Sequence, residues 1–215
     1  MKSDLDLSIP PYNIRISTVG NVDALYDRLI AKGADHEDVR DERIPYWADL
    51  WHSALALARY LVASGIVQPG MRVTELGCGL GLSGIAAGLL GAELTFTDYM
   101  DEALHYARLN WQQNIPDRPA QFVRMDWRQP DPTLAADLIL AADVVYEQRA
   151  IEPLLHTFKT LARPGGLILL SEPGRAVGKT FFEKLPAAGF TFSKTTVQET
   201  LKALTQTVHI LKIRP

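Results

Sequence analysis

A single cysteine, Cys78, among 215 residues excludes an internal disulfide and any cysteine-rich zinc site. The five histidines show no metal-ligand spacing, so no metal is expected. No run of about 18 apolar residues occurs, so no membrane span is expected. The N-terminal Met1-Lys-Ser-Asp-Leu-Asp6 lacks the basic-then-apolar pattern of a secretory leader, and a cytoplasmic protein is expected. Basic and aromatic residues do not interleave as a single-strand nucleic-acid groove requires, so no nucleic-acid partner is expected.

What is present is ordinary for a globular protein: 47% hydrophobic, 22% charged, net charge −3, and enough chain to bury a full core. The charge is unevenly distributed. From Lys159 to the end there are nine bases against three acids, whereas residues 46–158 carry thirteen acids against seven bases. Those bases either solvate outer helices and strands or suit an acidic partner.

From Met71 onward, apolar runs alternate with helix-period segments. Strands are expected at Arg72–Leu76, Glu93–Thr97, Ala120–Met125, Asp137–Ala142 and Leu167–Leu170. Helices are expected near 82–91, 101–114, 148–162 and 176–188. That order predicts a parallel sheet covered on both faces. Phe190–Thr195 and Thr205–Lys212 read as two further strands with about ten residues between them, too few for a parallel crossover, so they are expected to pair antiparallel. The fold class is therefore α/β: a Rossmann-like sheet of seven strands, five parallel plus an antiparallel C-terminal pair. Upstream, Trp47, Trp51, Ala54, Leu55, Ala58, Leu61 and Val62 form one apolar helical stripe. Asn13–Ser17 reads as a short strand, 22–32 as a helix and 35–43 as a charged loop.

The stretch Glu75–Gly84, ELGCGLGLSG, fits two fingerprints. Gly79, Gly81 and Gly84 spell the G-x-G-x-x-G of dinucleotide enzymes, while Glu75, Gly77, Gly79 and Gly81 spell an acid followed by G-x-G-x-G. Asp98 lies about 20 residues on in either register and does not decide. Three other features do. Glu75 would repel a pyrophosphate, which seeks helix-end N–H groups, but would attract a cationic methionine tail. Asp126 and Trp127 end the third strand, where an acid can take an adenine amino group and an indole can cover a purine. Asp143 and Tyr146 close the fourth strand, and ligands of open α/β sheets bind beyond the carboxyl ends of the strands. Together they favour methyl transfer over hydride transfer.

On Pro45–Trp51 (PYWADLW), Glu75–Gly81, Thr97-Asp98, Asp143–Tyr146 and Glu172–Arg175, the chain resembles the seven-β-strand (class I) protein-lysine methyltransferases of the methyltransferase-like family. Within them it is most similar to the electron-transfer-flavoprotein β-subunit lysine methyltransferases and their bacterial relatives. The resemblance covers roughly residues 44–176. It implies S-adenosyl-L-methionine as cofactor, S-adenosyl-L-homocysteine as product and a protein lysine as target. It also implies that Trp51, Gly77, Cys78, Gly79, Asp98, Trp127 and Ala142 touch the cofactor, while Asp143 and Tyr146 face the lysine. Glu75, Gly81, Tyr99 and Asp126 complete the expected cofactor set. Residues 1–45 are expected to form an N-terminal extension, with a substrate lid as one role, on a methyltransferase domain spanning 46–215. Methylation of a small amine, or cofactor binding without catalysis, are the rival readings, and nothing demands more than a monomer.

Overall fold

The computed structural model describes residues 2–41 and 43–215. Met1 and Glu42, the latter within the expected charged loop, lie outside the described residues. The chain opens with an antiparallel hairpin, β1 (Lys2–Ile9) and β2 (Tyr12–Val19). The sequence pattern points only to the centre of β2. Yet β1 alternates Leu5, Leu7 and Ile9 with Asp4, Asp6 and Ser8, the two-residue period of a half-buried strand, and Ile9, Ile14 and Ile16 are fully buried. The helix expected at 22–32 is α1 (Asp23–Ala31), and the charged loop contains one helical turn, α2 (Glu37–Arg40).

The apolar stripe beginning at Trp47 predicts a helix that starts too early. In the structure α3 runs His52–Ser64, after a 3-10 turn at Tyr46–Ala48. Between them Asp49 (φ −102°, ψ 154°) and Trp51 (φ −99°, ψ 147°) are extended. Across this break the Trp51 indole N–H donates to the Tyr46 carbonyl at 2.8 Å. Leu55, Ala58 and Leu61 keep the buried face that the stripe predicts.

Strands β3 (Arg72–Leu76), β4 (Glu93–Asp98), β5 (Gln121–Arg124), β6 (Ala136–Ala142), β7 (Ala162–Glu172), β8 (Thr191–Leu201) and β9 (Leu204–Arg214) form a seven-stranded sheet in the order β5-β4-β3-β6-β7-β9-β8. The first five are mutually parallel, and β9 runs antiparallel to both β7 and β8. Instead of ten connecting residues, only Lys202 and Ala203 separate β8 from β9. Both have positive φ, 49° and 65°, the backbone that a two-residue hairpin demands. The intervening residues pair, Glu199 opposite Gln206 and Thr200 opposite Thr205.

Helices α4 (Leu82–Leu89), α5 (Asp101–Asn114), α6 (Ile151–Leu161) and α7 (Ala176–Ala187) complete the order. Successive residues of the central strands feed different cores. Leu138 and Leu140 pack with α3 and α4, whereas Ile139 and Ala141 pack with α6. Both faces of these strands are covered, which explains why they read as continuous apolar runs. The N-terminal hairpin is tied to this body by Asn110 of α5. Its Oδ1 accepts the Ser17 N–H at 2.8 Å, and its Nδ2 donates to the carbonyls of Ser17 (3.1 Å) and Leu80 (2.9 Å). The chain turns from β3 toward β4 on one side and β6 on the other, so the crevice beyond the β3 tip is the place where such sheets bind ligands.

Candidate active site

Beyond the tip of β3 the backbone must turn sharply into α4. Gly77, Gly79 and Gly81 all have left-handed φ, 58°, 50° and 82°, a region that side-chain-bearing residues rarely adopt. At Gly77 a side chain would also press on Val144 Cγ1 at 3.1 Å and the Trp127 ring at 3.2 Å. The loop is held to β4 by the Cys78 N–H on the Thr97 carbonyl (3.0 Å). The Asp98 carboxylate clamps it further, accepting the Gly79 N–H through Oδ2 (3.0 Å) and the Met100 N–H through Oδ1 (3.0 Å). Burial raises the Asp98 carboxyl above its ordinary value, against the lowering effect of these two N–H groups.

Gly84 belongs to the helix rather than to the loop. Its N–H, in the first turn of α4, donates to Glu75 Oε2 at 3.0 Å. Glu75 is 2% exposed, and burial pushes its carboxyl up to about 8 despite that hydrogen bond. A raised folded-state pKa means the protonated form is preferred in the folded chain. The stabilisation it gives is complete below the ordinary value of 4.5 and is lost as pH rises to about 8. Glu75→Gln keeps an acceptor for Gly84 but cannot ionise. Melting of the cofactor-free protein followed from pH 4.5 to 8.5 is expected to fall by about 10 °C more for wild type than for Glu75→Gln. Parallel curves would show that Glu75 does not titrate in this window.

The remaining walls come from neighbouring strand ends. Trp127 follows β5; its ring covers the Gly77 turn and packs among the α6-side core. Asp126 is gripped by the Arg128 guanidinium at 2.7–3.0 Å. Burial raises the Asp126 carboxyl, but the Arg128 hydrogen bonds and charge outweigh it and hold it below the usual carboxylate range. Ala142 ends β6. Asp143 follows in the left-handed region, φ 59°, with its N–H on the Ser171 carbonyl at 2.8 Å. Its carboxylate is paired with Arg175. The Tyr146 ring stands edge-on to Tyr46, centroids 5.4 Å apart. Desolvation, then the charges of Glu147 and Asp98, push the Tyr146 phenol up, so it remains a protonated donor. Burial, with the charges of Asp98 and Glu75, also pushes the Cys78 thiol up, which leaves it inert as a nucleophile.

One cavity of about 360 Å³ opens among these elements. Trp51, Glu75, Gly77, Cys78, Gly79, Gly81, Asp98, Tyr99, Asp126, Trp127, Ala142, Asp143 and Tyr146 stand together on its wall. Residues that the sequence pattern does not single out join them: Asp41, Arg43 and Ile44 from the N-terminal segment, Tyr46, Met100, and Arg149 with Pro153 before and within the start of α6. Arg43 reaches Asp38 and the Tyr99 hydroxyl, and its guanidinium lies 4.4 Å from the centre of the Tyr99 ring. The only sequence signal for this contact is the charge density of the loop. Among the described residues no group of three or more His, Cys, Asp or Glu side chains is arranged to hold a metal. Among them, too, no helix is long and apolar enough to cross a membrane.

Residues 40–188 match the family model described as lysine methyltransferase. Protein N-lysine methyltransferase METTL21A of Xenopus tropicalis is 39% identical over 128 residues, 58% of this chain and 59% of that protein. EEF1A lysine methyltransferase 3 of Mus musculus is 34% identical over 66% of this chain and 63% of its own length. The electron transfer flavoprotein beta subunit lysine methyltransferase of Danio rerio is 35% identical over 61% and 51%. The chain thus spans less than two thirds of each of these three relatives. Among solved structures, magnesium protoporphyrin IX methyltransferase from Synechocystis with bound SAM superposes with a TM-score of 0.61 at 19% identity, over 91% of this chain and 92% of that one. Ribosomal protein L11 methylase from Lactobacillus delbrueckii gives 0.55 at 20% identity, over 77% and 80%. At such identities the likeness speaks for the fold alone, a class I methyltransferase sheet. The match to the family model covers well over half of the sequence, and the chain belongs to the lysine methyltransferase family.

Proposed function

We propose that the protein is an S-adenosyl-L-methionine-dependent methyltransferase acting on a lysine side chain of a protein substrate. The observation that carries this reading is the joining of the Asp98-clamped glycine loop and the Asp143–Tyr146 segment on one cavity wall. The residues present fit the cofactor. Asp98 presents a carboxylate where a ribose diol would be held. Trp127 offers an apolar face, and Glu75 offers an acid toward a cationic tail, which would draw its raised pKa down again. A volume near 360 Å³ is within the range of small-molecule sites. When bound, S-adenosylmethionine supplies an electrophilic methyl group on a sulfonium and leaves as S-adenosylhomocysteine.

The protein's own contribution is positioning. Only the neutral amine has a lone pair, and a free lysine has a pKa near 10.4, so a proton must leave before attack, to water or transiently to Asp143. Asp143 aims the amine from the end of β6, and Tyr146 lines the approach with its ring and phenol. Asp41, Arg43 and Ile44 reach the cavity from the N-terminal segment, which supports a lid role for residues 1–45. The lysine methyltransferase names of the relatives support a protein as acceptor, and the basic C-terminal third suits an acidic one.

Incubation with radiolabelled S-adenosylmethionine and a whole, undialysed cell extract tests the proposal. A discrete labelled protein band is the expected result. Label confined to the small-molecule fraction would reassign the enzyme to a small amine, and cofactor binding without any label would make it a binding module.

A further inference from the structure

The acid that faces the target lysine is already paired. Asp143 Oδ1 holds the Nη1 of Arg175, 32 residues further on, and the two side chains are 8% and 33% exposed. Neither is free to wander. Asp143 is fixed by its left-handed backbone and its N–H on Ser171. Arg175 leaves a turn tied down by Glu172, a fully buried acid whose Oε2 accepts the N–H groups of Gly174 (2.8 Å) and Arg175 (3.2 Å). The guanidinium lies 5.9 Å from the centre of the Trp51 ring. Asp143 and Trp51 line the cavity, whereas Arg175 is not part of its wall.

This arrangement answers a chemical difficulty. A lone carboxylate beside the target nitrogen would favour the ammonium, which has no lone pair with which to attack. We propose that Arg175 is a positioning residue that holds Asp143 as a charge-compensated acceptor, so that the site takes its target lysine as the free amine. The inference rests on the lysine methyltransferase reading above. With Oδ1 given to Arg175, Oδ2 remains to accept one amine N–H, and the guanidinium adds a repulsive charge against any second cation. Arginine suits the task because it stays charged at every pH at which lysine titrates. The other titratable and charged groups around this corner, among the described residues, are Tyr46 of the N-terminal segment, Asp98 of β4, Tyr146, Glu147 and Arg149 after β6, Glu172 of β7, and His209 of β9, whose Nε2 lies near Gly174. All are retained in Arg175 variants, so none of them by itself separates those variants from wild type.

The experiment measures initial methyl incorporation from radiolabelled S-adenosylmethionine into the main labelled band of a dialysed extract, at low extract concentration, from pH 6.5 to 10. Wild type, Arg175→Lys and Arg175→Met are compared, and calorimetric affinity for S-adenosylhomocysteine is measured for each. All three are expected to bind S-adenosylhomocysteine alike. Arg175→Met is expected to move the acidic limb of the profile up by about one pH unit, with about a tenfold loss of rate at pH 7.5. Arg175→Lys restores the limb to its wild-type position. A slower Arg175→Met enzyme with an unmoved limb overturns the inference, because a purely structural role lowers the rate at every pH. Should Arg175→Met melt below the assay temperature, Arg175→Gln, which keeps a polar head toward Trp51, takes its place: a raised limb is again expected, and an unmoved one again overturns the inference. Wild-type enzyme that labels no protein overturns the proposed function and this inference together. Labelling by wild type with an unmoved limb in the variant overturns the inference alone.

Discussion

Asp143→Asn is expected to slow methyl transfer by about a hundredfold, the scale of a lost positioning contact, while S-adenosylhomocysteine binds as before. Asparagine is the informative replacement because of the backbone. At φ 59° Asp143 occupies a region that Asn and Asp tolerate better than other side-chain-bearing residues. Asp143→Asn therefore keeps the turn, its N–H on Ser171 and nearly the same volume, and removes only the charge. Asp143→Ala would add backbone strain of about 1 kcal/mol and would confuse folding with chemistry. On the proposed mechanism the charge matters twice: as the acceptor for the amine, and as the counterion of Arg175, which is stranded when the partner becomes neutral. Single-turnover rates beside calorimetric affinities check the claim. Wild-type turnover in Asp143→Asn with intact cofactor binding would remove Asp143 from the reaction.

The second large effect is on stability. Gly84→Ala improves helix propensity by about 1 kcal/mol in the abstract, so propensity alone predicts a more stable protein. The packing decides otherwise. A Cβ at Gly84 would lie 2.3 Å from Phe96 Cε1 and 2.6 Å from Glu75 Oε2. Phe96 cannot retreat, since it is fully buried, stacked on Phe122 at 5.0 Å and edge-on to Trp111 at 5.6 Å. Glu75 can yield only by giving up the Gly84 N–H. Overpacking of a tight core costs about 1–3 kcal/mol, and an unmade hydrogen bond to a buried acid adds about 1–3 kcal/mol. The sum exceeds the helix gain, and the melting temperature is expected to fall by roughly 5–12 °C for a chain of this size. Differential scanning calorimetry of the cofactor-free protein gives the answer, and an unchanged or higher midpoint would mean that α4 is free to shift off the sheet.

The alternation of strands and helices is legible in the sequence because the central strands are buried on both faces and each is bounded by turn residues. The strand-tip acids are legible for a related reason: in this architecture, sequence position at the end of a strand is also position at the crevice. Local conformation is less so. The Trp47-to-Val62 stripe is real as a buried face but not as one continuous helix, because the backbone is extended at Asp49 and Trp51, where the indole bonds back to Tyr46. β1 carries its signal in Leu5, Leu7 and Ile9, a pattern that the polar residues between them make easy to pass over. The Asp143–Arg175 pair has no sequence signature, and the Arg43–Tyr99 contact has only the charge density of its loop. They join residues 32 and 56 positions apart, and only tertiary structure sets which cation meets which partner. Gly84 shows the opposite case. It belongs to only one of the two fingerprints, and once Glu75 sets the other register it is left as a small residue in the first turn of the helix, a place that its closeness to Phe96 bears out.

The clamp that Asp98 places on the Gly79 and Met100 amides also bears on the thermodynamics of ligand capture. With its turn already fixed by strand-borne groups, the glycine loop surrenders its conformational entropy when the chain folds rather than when a nucleoside arrives. Association is then governed by solvent release and contact enthalpy, with little ordering of backbone to oppose it.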